Sequence, residues 1–493
     1  RPMVVVAVCL VTTFGLMGWL QPSIDMVTVL VAPIVCVVGL AAAVHVEMSF
    51  RRRLRERPDD VAAALDATYR EKRWPIVWSG VTTAVGFGSL VAARVPPVRA
   101  LGAWCTFGIA LVTLALLTLQ PALIRLRSAR RARLSRYEAW AGPFGRRLVA
   151  AAMAQPGRVA LGFTLATLVA AVGALRIDLG TNVLDYLPRG SPVRTGLEGL
   201  EAHGVGAMAV DLALALPATD GEGFRSPLLT ARLGELSRDL RDEPHVLAAL
   251  SYFELAGRGL ESPAGSLLRA GRGLMISRDG SLTRVRLLVP MLGFSQLDPV
   301  LERAVARARR AFPEAEVWAG GDYVHVLEAQ RSLLATMFVS LALTATIIAL
   351  ILFFLLGGGR RALAALLPNL LPPLLVVGLM GWLGMPLDSS TVMIGAVVLG
   401  LAVDDTLHTF GQYRLRVRSL PPAAAIEATY ERVAPAHMLT SLVLAAGLGI
   451  CGFADLRPIS HFGALSAAAV AGALLGDLLL LPVLLRGRPR RAA

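Results

Sequence analysis

The stretch Leu387–Phe410 reads LDSSTVMIGAVVLGLAVDDTLHTF and sets two adjacent carboxylates, Asp404 and Asp405, inside a segment long enough to cross a bilayer. A carboxylate near the middle of a membrane helix costs roughly 2.5–3.5 kcal/mol on insertion scales, so an acid placed there marks function. Two neighbouring acids in a low dielectric do not readily both ionise, which suits the pair to loading and unloading protons. At about 100° per residue, His408 falls one turn beyond both acids. The spacing therefore predicts one polar face, made of Asp404, Asp405 and His408, acting as a proton relay.

The rest of the chain reads as membrane protein. It is 55% hydrophobic over 493 residues, with a mean hydropathy of +0.61, which a large soluble core does not require. Ten stretches are long enough to span, near 3–20, 25–47, 75–93, 99–124, 158–175, 333–356, 363–383, 387–410, 434–453 and 459–485. The formal charge of +14 is a topology signal and not a nucleic-acid footprint. Segments 48–74, 125–157, 357–362, 411–433 and 486–493 carry 26 basic against 8 acidic residues, whereas 177–332 carries 17 against 20. The positive-inside rule puts the first five in the cytoplasm and the long segment outside, the same assignment that alternation through ten spans gives.

All basic residues but Lys72 are arginine, and Lys72 is followed by Arg73, so no phosphate-binding P-loop exists in the chain. An ATP-driven transporter would need a separate subunit. The four cysteines, Cys9, Cys36, Cys105 and Cys451, fall in predicted spans and imply neither a disulfide nor a zinc framework. No cofactor and no metal are expected.

An internal repeat organises the spans. GLMGWL occurs at Gly15–Leu20 and again at Gly378–Leu383, an offset at which Asp25 pairs with Asp388, Thr28 with Thr391 and His45 with His408. Two residues are then gained by the first copy, so that Tyr69 pairs with Tyr430, Gly86 with Gly447, Gly102 with Gly463 and Pro121 with Pro482. Transporters are commonly built from such repeats, with their sites where the halves meet. The halves differ chemically, because Asp404 and Asp405 correspond to Ala41 and Ala42. Energy coupling is therefore expected in the second half alone. Glu47, the nearest first-half acid, reads as an interfacial residue beside Arg51–Arg53. The second copy is preceded by a span, an outer domain and another span, and equivalents are expected upstream of Arg1.

Segment 177–332 alternates strand and helix signals: strands near 207–216, 246–252, 282–289 and 314–319, with helices near 226–241 and 296–311. That βαββαβ order is the split βαβ pattern. His203, His245 and His325 are scattered without ligand spacing. The patterns AAALDATYRE and AAAIEATYER, each after an arginine cluster, read as short helices on the membrane surface, and 125–157 as an anchor on anionic headgroups.

Three polar residues are candidates to support the relay. Thr440 and Ser441 lie at a depth from which they either face the acids or bond their own helix carbonyls. Asp477 in the tenth span is either a second relay member or a structural acid satisfied by a neighbour.

Three stretches, LRIDLGTNVLDYLPRGSPVR (175–194), LLPNLLPPLLVVGLMGWLGMPLD (366–388) and GLAVDDTLHTFGQYR (400–414), resemble the resistance-nodulation-division (RND) superfamily, in its MMPL-like branch of hydrophobe and lipid exporters. The chain is read as an N-terminally truncated member. The resemblance implies a proton-motive-force-driven secondary transporter, not an enzyme, exporting hydrophobic or lipid-like molecules from a bacterial inner membrane. It supports Asp404 and Asp405 as the proton carriers, with Thr440 and Ser441 behind them.

It implies a multi-pass helical fold of two pseudo-repeated bundles and one α+β porter-like periplasmic domain. The divisions expected are 1–127, an incomplete sterol-sensing-domain-like bundle; 128–157, a cytoplasmic basic linker; 158–176, one span; 177–332, the porter-like domain; 333–487, the second bundle; and 488–493, a basic tail. Expected partners are membrane lipids, a lipid-like substrate and protons, with a homo-oligomer and periplasmic proteins left open and nucleic acid excluded. The alternatives are a lipid- or sterol-sensing receptor that transports nothing, or a protein-translocation auxiliary of the same superfamily.

Overall fold

A computed structural model describes every residue except 22, 59, 127–135, 178–182, 189, 207, 218–221, 257–274 and 487–493. The expected tail 488–493 and the opening of the expected linker, 128–135, lie outside the described residues. Arg1–Asp178 with Leu333–Ala493 make one compact unit and Leu179–Ser332 another.

Ten helices among the described residues are long and apolar enough to cross a membrane, as expected. The helices are α1 (Pro2–Leu20), α2 (Val31–Glu56), α3 (Val61–Gly88), α4 (Pro96–Leu117), α5 (Arg136–Ala154), α6 (Pro156–Ala174), α7 (Asp322–Leu356), α8 (Gly359–Leu383), α9 (Ile394–Arg416), α10 (Pro422–Ile450) and α11 (Arg457–Leu475), of which α5 is not one of the ten. Apolar side chains that they leave uncovered, such as Trp19 and Phe453, are those that lipid would cover. The span containing α9 is 89% buried in its apolar window, against at most 56% for any other, so the helix with the two acids is the centre of the bundle.

One expectation about the basic segments is corrected. The surface-helix patterns are not separate helices: AAALDATYRE lies inside α3 and AAAIEATYER inside α10. Asp60 caps α3, accepting from the Ala63 N–H at 2.8 Å, and the chain then runs through Pro75 without ending the helix; α10 runs through Pro435 in the same way. The described part of the basic linker is largely α5, packed against α10. Gly142 and Gly145 let the two helices close, a Cβ on Gly145 falling 2.3 Å from that of Ala434, and the Tyr137 hydroxyl donates to the Pro435 carbonyl at 2.9 Å.

The sequence repeat is a repeat of hydrogen bonds. Asp25 Oδ1 accepts the Val27 and Thr28 N–H groups at 2.8 Å, and its own N–H donates to the Thr28 hydroxyl. Asp388 does the same with Ser390 and Thr391, so each half enters its central helix through the same Asx turn. The Tyr69 hydroxyl donates to the Leu116 carbonyl and that of Tyr430 to the Asp477 carbonyl, both at 2.7 Å. The halves meet at small residues, since a Cβ on Gly86 of α3 would lie 2.9 Å from the Ala396 carbonyl oxygen and 3.1 Å from the Gly400 Cα of α9.

The second unit has the expected split βαβ topology. Strands β1 (Met208–Ala215), β2 (Ala248–Leu250), β3 (Leu282–Val289) and β4 (Glu316–Gly320) form an antiparallel sheet in the order β2-β3-β1-β4. Alternate residues, Val210, Leu212 and Leu214 on β1 with Val285, Leu287 and Val289 on β3, are buried with Leu233, Leu236 and Leu240 of the helix Pro227–Arg241. On the opposite face Asp211 accepts hydrogen bonds from Arg284 (2.9 Å) and Arg286 (2.8 and 2.9 Å). Burial pushes the Asp211 carboxyl up, but the hydrogen bonds and charges of the two guanidinium groups outweigh it and hold it below the usual carboxylate range. A depressed carboxyl contributes stability that is present above its unfolded value and lost as pH falls through the folded one. Asp211→Asn is accordingly expected to destabilise this unit by roughly 1–3 kcal/mol at neutral pH and by less in acid. Hydrogen exchange of the β1 and β3 amides measures it.

Candidate functional site

The two acids of α9 point to different neighbours. Asp404 Oδ1 lies 3.3 Å from Nε2 of His408, one turn on, as the helical spacing predicts. Asp405 turns instead toward α2 and α10, its Oδ1 lying 3.5 Å from His45 Nε2 and 3.6 Å from His437 Nε2. The rings of His45 and His408 stack with centroids 4.6 Å apart, and His437 meets His45 edge-on at 5.9 Å. His408 Nδ1 in turn lies 3.5 Å from Nζ of Lys72. Three imidazoles, two carboxylates and the chain's one lysine thus form a single cluster.

The cluster draws on both halves. His45 and His408 are mates in the repeat, whereas Lys72 corresponds to Val433 and His437 to Ile76, so each half has one polar residue where the other is apolar. The two carboxylates come from the second half, whereas His45 and Lys72, which face the cluster, come from the first. Ala42, the counterpart of Asp405, lines a cavity of about 30 Å³ beside Asp404 and Ser79.

Burial and access differ within the cluster. The three histidines are buried, and the Asp404 and Asp405 side chains keep only 20% and 15% of their surface. A larger cavity, about 590 Å³, is lined at one end by His45, His408 and His437 and elsewhere by charged residues including Arg52, Glu71 and Arg432. Arg52 and Arg53 clasp Glu71, which also accepts from Gln412, so this mouth is a charged network and not an apolar one. Glu47 sits within α2, between its middle and its C-terminal end, bonded to Arg51 at 3.0 Å.

The support residues divide. The Asp477 carboxylate accepts the Thr406 hydroxyl at 2.7 Å, and that hydroxyl accepts from Asn369 at 2.9 Å. Asp477 therefore reaches α9 through the residue after Asp405, from a π-helical turn, Gly476–Leu480. The Thr440 hydroxyl donates to the Ala436 and His437 carbonyls of its own helix. Ser441 is buried beside it, and among the described residues neither hydroxyl bonds to Asp404 or Asp405. Thr440→Ala is expected to change gradient-driven transport less than about fivefold, the scale of one modest hydrogen bond of roughly 0.5–1 kcal/mol, as initial rates in vesicles would show.

Sequence reasoning missed His437 and Lys72 as members of the site. Lys72 entered only as the residue that excludes a P-loop, and its reach to His408 depends on α3 packing along α9. The available signal was a lysine just before one span and a histidine inside another, at positions where the other repeat copy is apolar.

Comparisons with known proteins agree with this architecture. Residues 2–157 match the model of the MMPL family, and residues 332–485 match that of the Patched SSD. A membrane protein of Methanocaldococcus jannaschii is 31% identical over 121 residues, 24% of this chain and 31% of that protein's length. The hedgehog release protein Disp from the water bear Hypsibius dujardini shares the fold, with a TM-score of 0.67 and 16% identity, over 98% of this chain and 66% of that one. The matches thus span less than two thirds of either relative.

Proposed function

The chain belongs to the RND/MMPL-like superfamily of membrane proteins, and from that premise we propose that it is a proton-motive-force-driven exporter of hydrophobic or lipid-like molecules in a bacterial inner membrane, with its α+β unit in the periplasm. Asp404 and Asp405 are its proton relay.

The observation that carries this reading is the contact chain itself. Asp404 and Asp405 sit, in the most buried span, within 3.3–3.6 Å of three buried imidazoles, and those imidazoles line a cavity shared with charged groups. A group that takes a proton from water and hands it on needs that combination: a titratable acid, a neighbour within hydrogen-bonding reach after a small movement, and an aqueous approach. Movement of substrate follows if the two protonation states of the pair favour different arrangements of α9 against α3 and α10.

The test reconstitutes the full-length protein in liposomes with a fluorescent lipid-like probe and imposes a pH gradient. Export that starts with the gradient and stops with a protonophore is expected. Probe binding without movement would instead support the lipid-sensing receptor.

A further inference from the structure

We propose that His45, Asp404, His408 and Asp405 form a binding site for one divalent transition cation of the zinc type, with His437 positioning Asp405. This inference does not depend on proton-driven export, because binding needs no gradient. It also departs from the sequence expectation that no metal binds.

Two observations point to it. The first is donor geometry: His45, Asp404 and His408 each offer one ligand atom, all within 4.8 Å of one another. Zinc bonds of about 2.0–2.1 Å at tetrahedral angles put ligand atoms roughly 3.3 Å apart. The His408–Asp404 contact of 3.3 Å and the His45–Asp405 contact of 3.5 Å already have that length, so binding requires the stacked His45 and His408 rings to turn their nitrogens, and Asp405 its carboxylate, toward one point. The second is a set of orphaned donors. Among the described residues, both ring nitrogens of His45 and of His437 are buried without a hydrogen-bond partner, and so is Asp404 Oδ1. Buried polar atoms of this kind are ordinarily satisfied, and one ion would take up the lone pairs of His45, His408 and both acids together. Imidazole with carboxylate, and no sulfur, suits zinc, nickel or iron better than the hard cations that prefer oxygen alone.

Charge sets the limits of the site. The two carboxylates supply the negative charge that a divalent ion needs. Lys72, 3.5 Å from His408 Nδ1, opposes it, and Arg52 and Arg432 line the approach together with Glu56, Glu71 and Glu431. A structural role for the histidines gives Lys72 no such effect, so the sign of a lysine variant separates the two explanations.

The experiment titrates purified full-length protein with Zn²⁺ against a chromophoric chelator, without a gradient, and records the visible spectrum with Co²⁺ in its place. One ion per chain and an intense tetrahedral Co²⁺ spectrum are expected. His45→Gln should weaken binding about 100-fold or more, His437→Gln by roughly 10- to 100-fold as loss of an outer-shell partner does, and Lys72→Met should tighten it. No Co²⁺ spectrum in the wild-type protein, or binding that survives the His45→Gln, His437→Gln double change, overturns the site. The wild-type spectrum decides even if a variant fails to fold.

Discussion

Asp404→Asn and Asp405→Asn, made together in the full-length protein, are expected to abolish gradient-dependent export while leaving the protein folded. Asparagine keeps the size of aspartate but has no proton to exchange, so the His408, His45 and His437 contacts lose their acid partners without a change of volume. Removing a positioned proton-transfer group ordinarily costs on the order of 10²–10⁴-fold in rate, and here it removes the only two carboxylates that touch the histidine cluster among the described residues. Stability should hold or rise, because a buried charge disappears. Vesicle transport and the thermal midpoint of the purified variant read the two halves of this expectation separately. Export that persists and still follows the gradient would move the relay to Asp477 or Glu47.

Gly86→Val is expected to have the largest effect on the fold. The α3–α9 contact has no room for a Cβ, let alone two more methyl groups, because the nearest atoms are backbone of Ala396 and Gly400 and cannot rotate away. Overpacking costs typically 1–3 kcal/mol where side chains yield, and more is expected where backbone must. Gly400 lies one turn before Asp404, so the displacement also opens the cluster. A lower thermal midpoint with loss of transport is expected, whereas Gly15→Ala, with open space around its Cβ position, should leave both unchanged. Thermal unfolding of the two variants in one detergent compares them directly.

Much of the fold was legible because membrane helices and repeats write themselves into hydropathy and spacing. The ten spans, the split βαβ order and the Asp25 and Asp388 turns each depend on residues close in sequence. The Asp404–His408 contact was legible for the same reason, being one helical turn. What was not legible depends on which helices pack together. Asp405 faces His437 because α10 lies beside α9, and Lys72 reaches His408 because α3 does. The apolar stretches 75–93 and 434–453 mark only part of α3 and α10, because both helices begin in more polar sequence and run on through Pro75 and Pro435. The role expected of Thr440 depended on where a hydroxyl points, and its own helix carbonyls were the nearer partners.

The central claim is that protons pass through the Asp404–Asp405 pair only together with substrate, and coupled fluxes of this kind run in either direction. The most direct measurement therefore imposes a gradient of the lipid-like probe across liposomes at equal pH and follows the lumenal pH. The wild-type protein is expected to drive a pH change that the Asp404→Asn, Asp405→Asn variant does not. Probe movement with no pH change in the wild type, or an equal pH change in the variant, would contradict the claim.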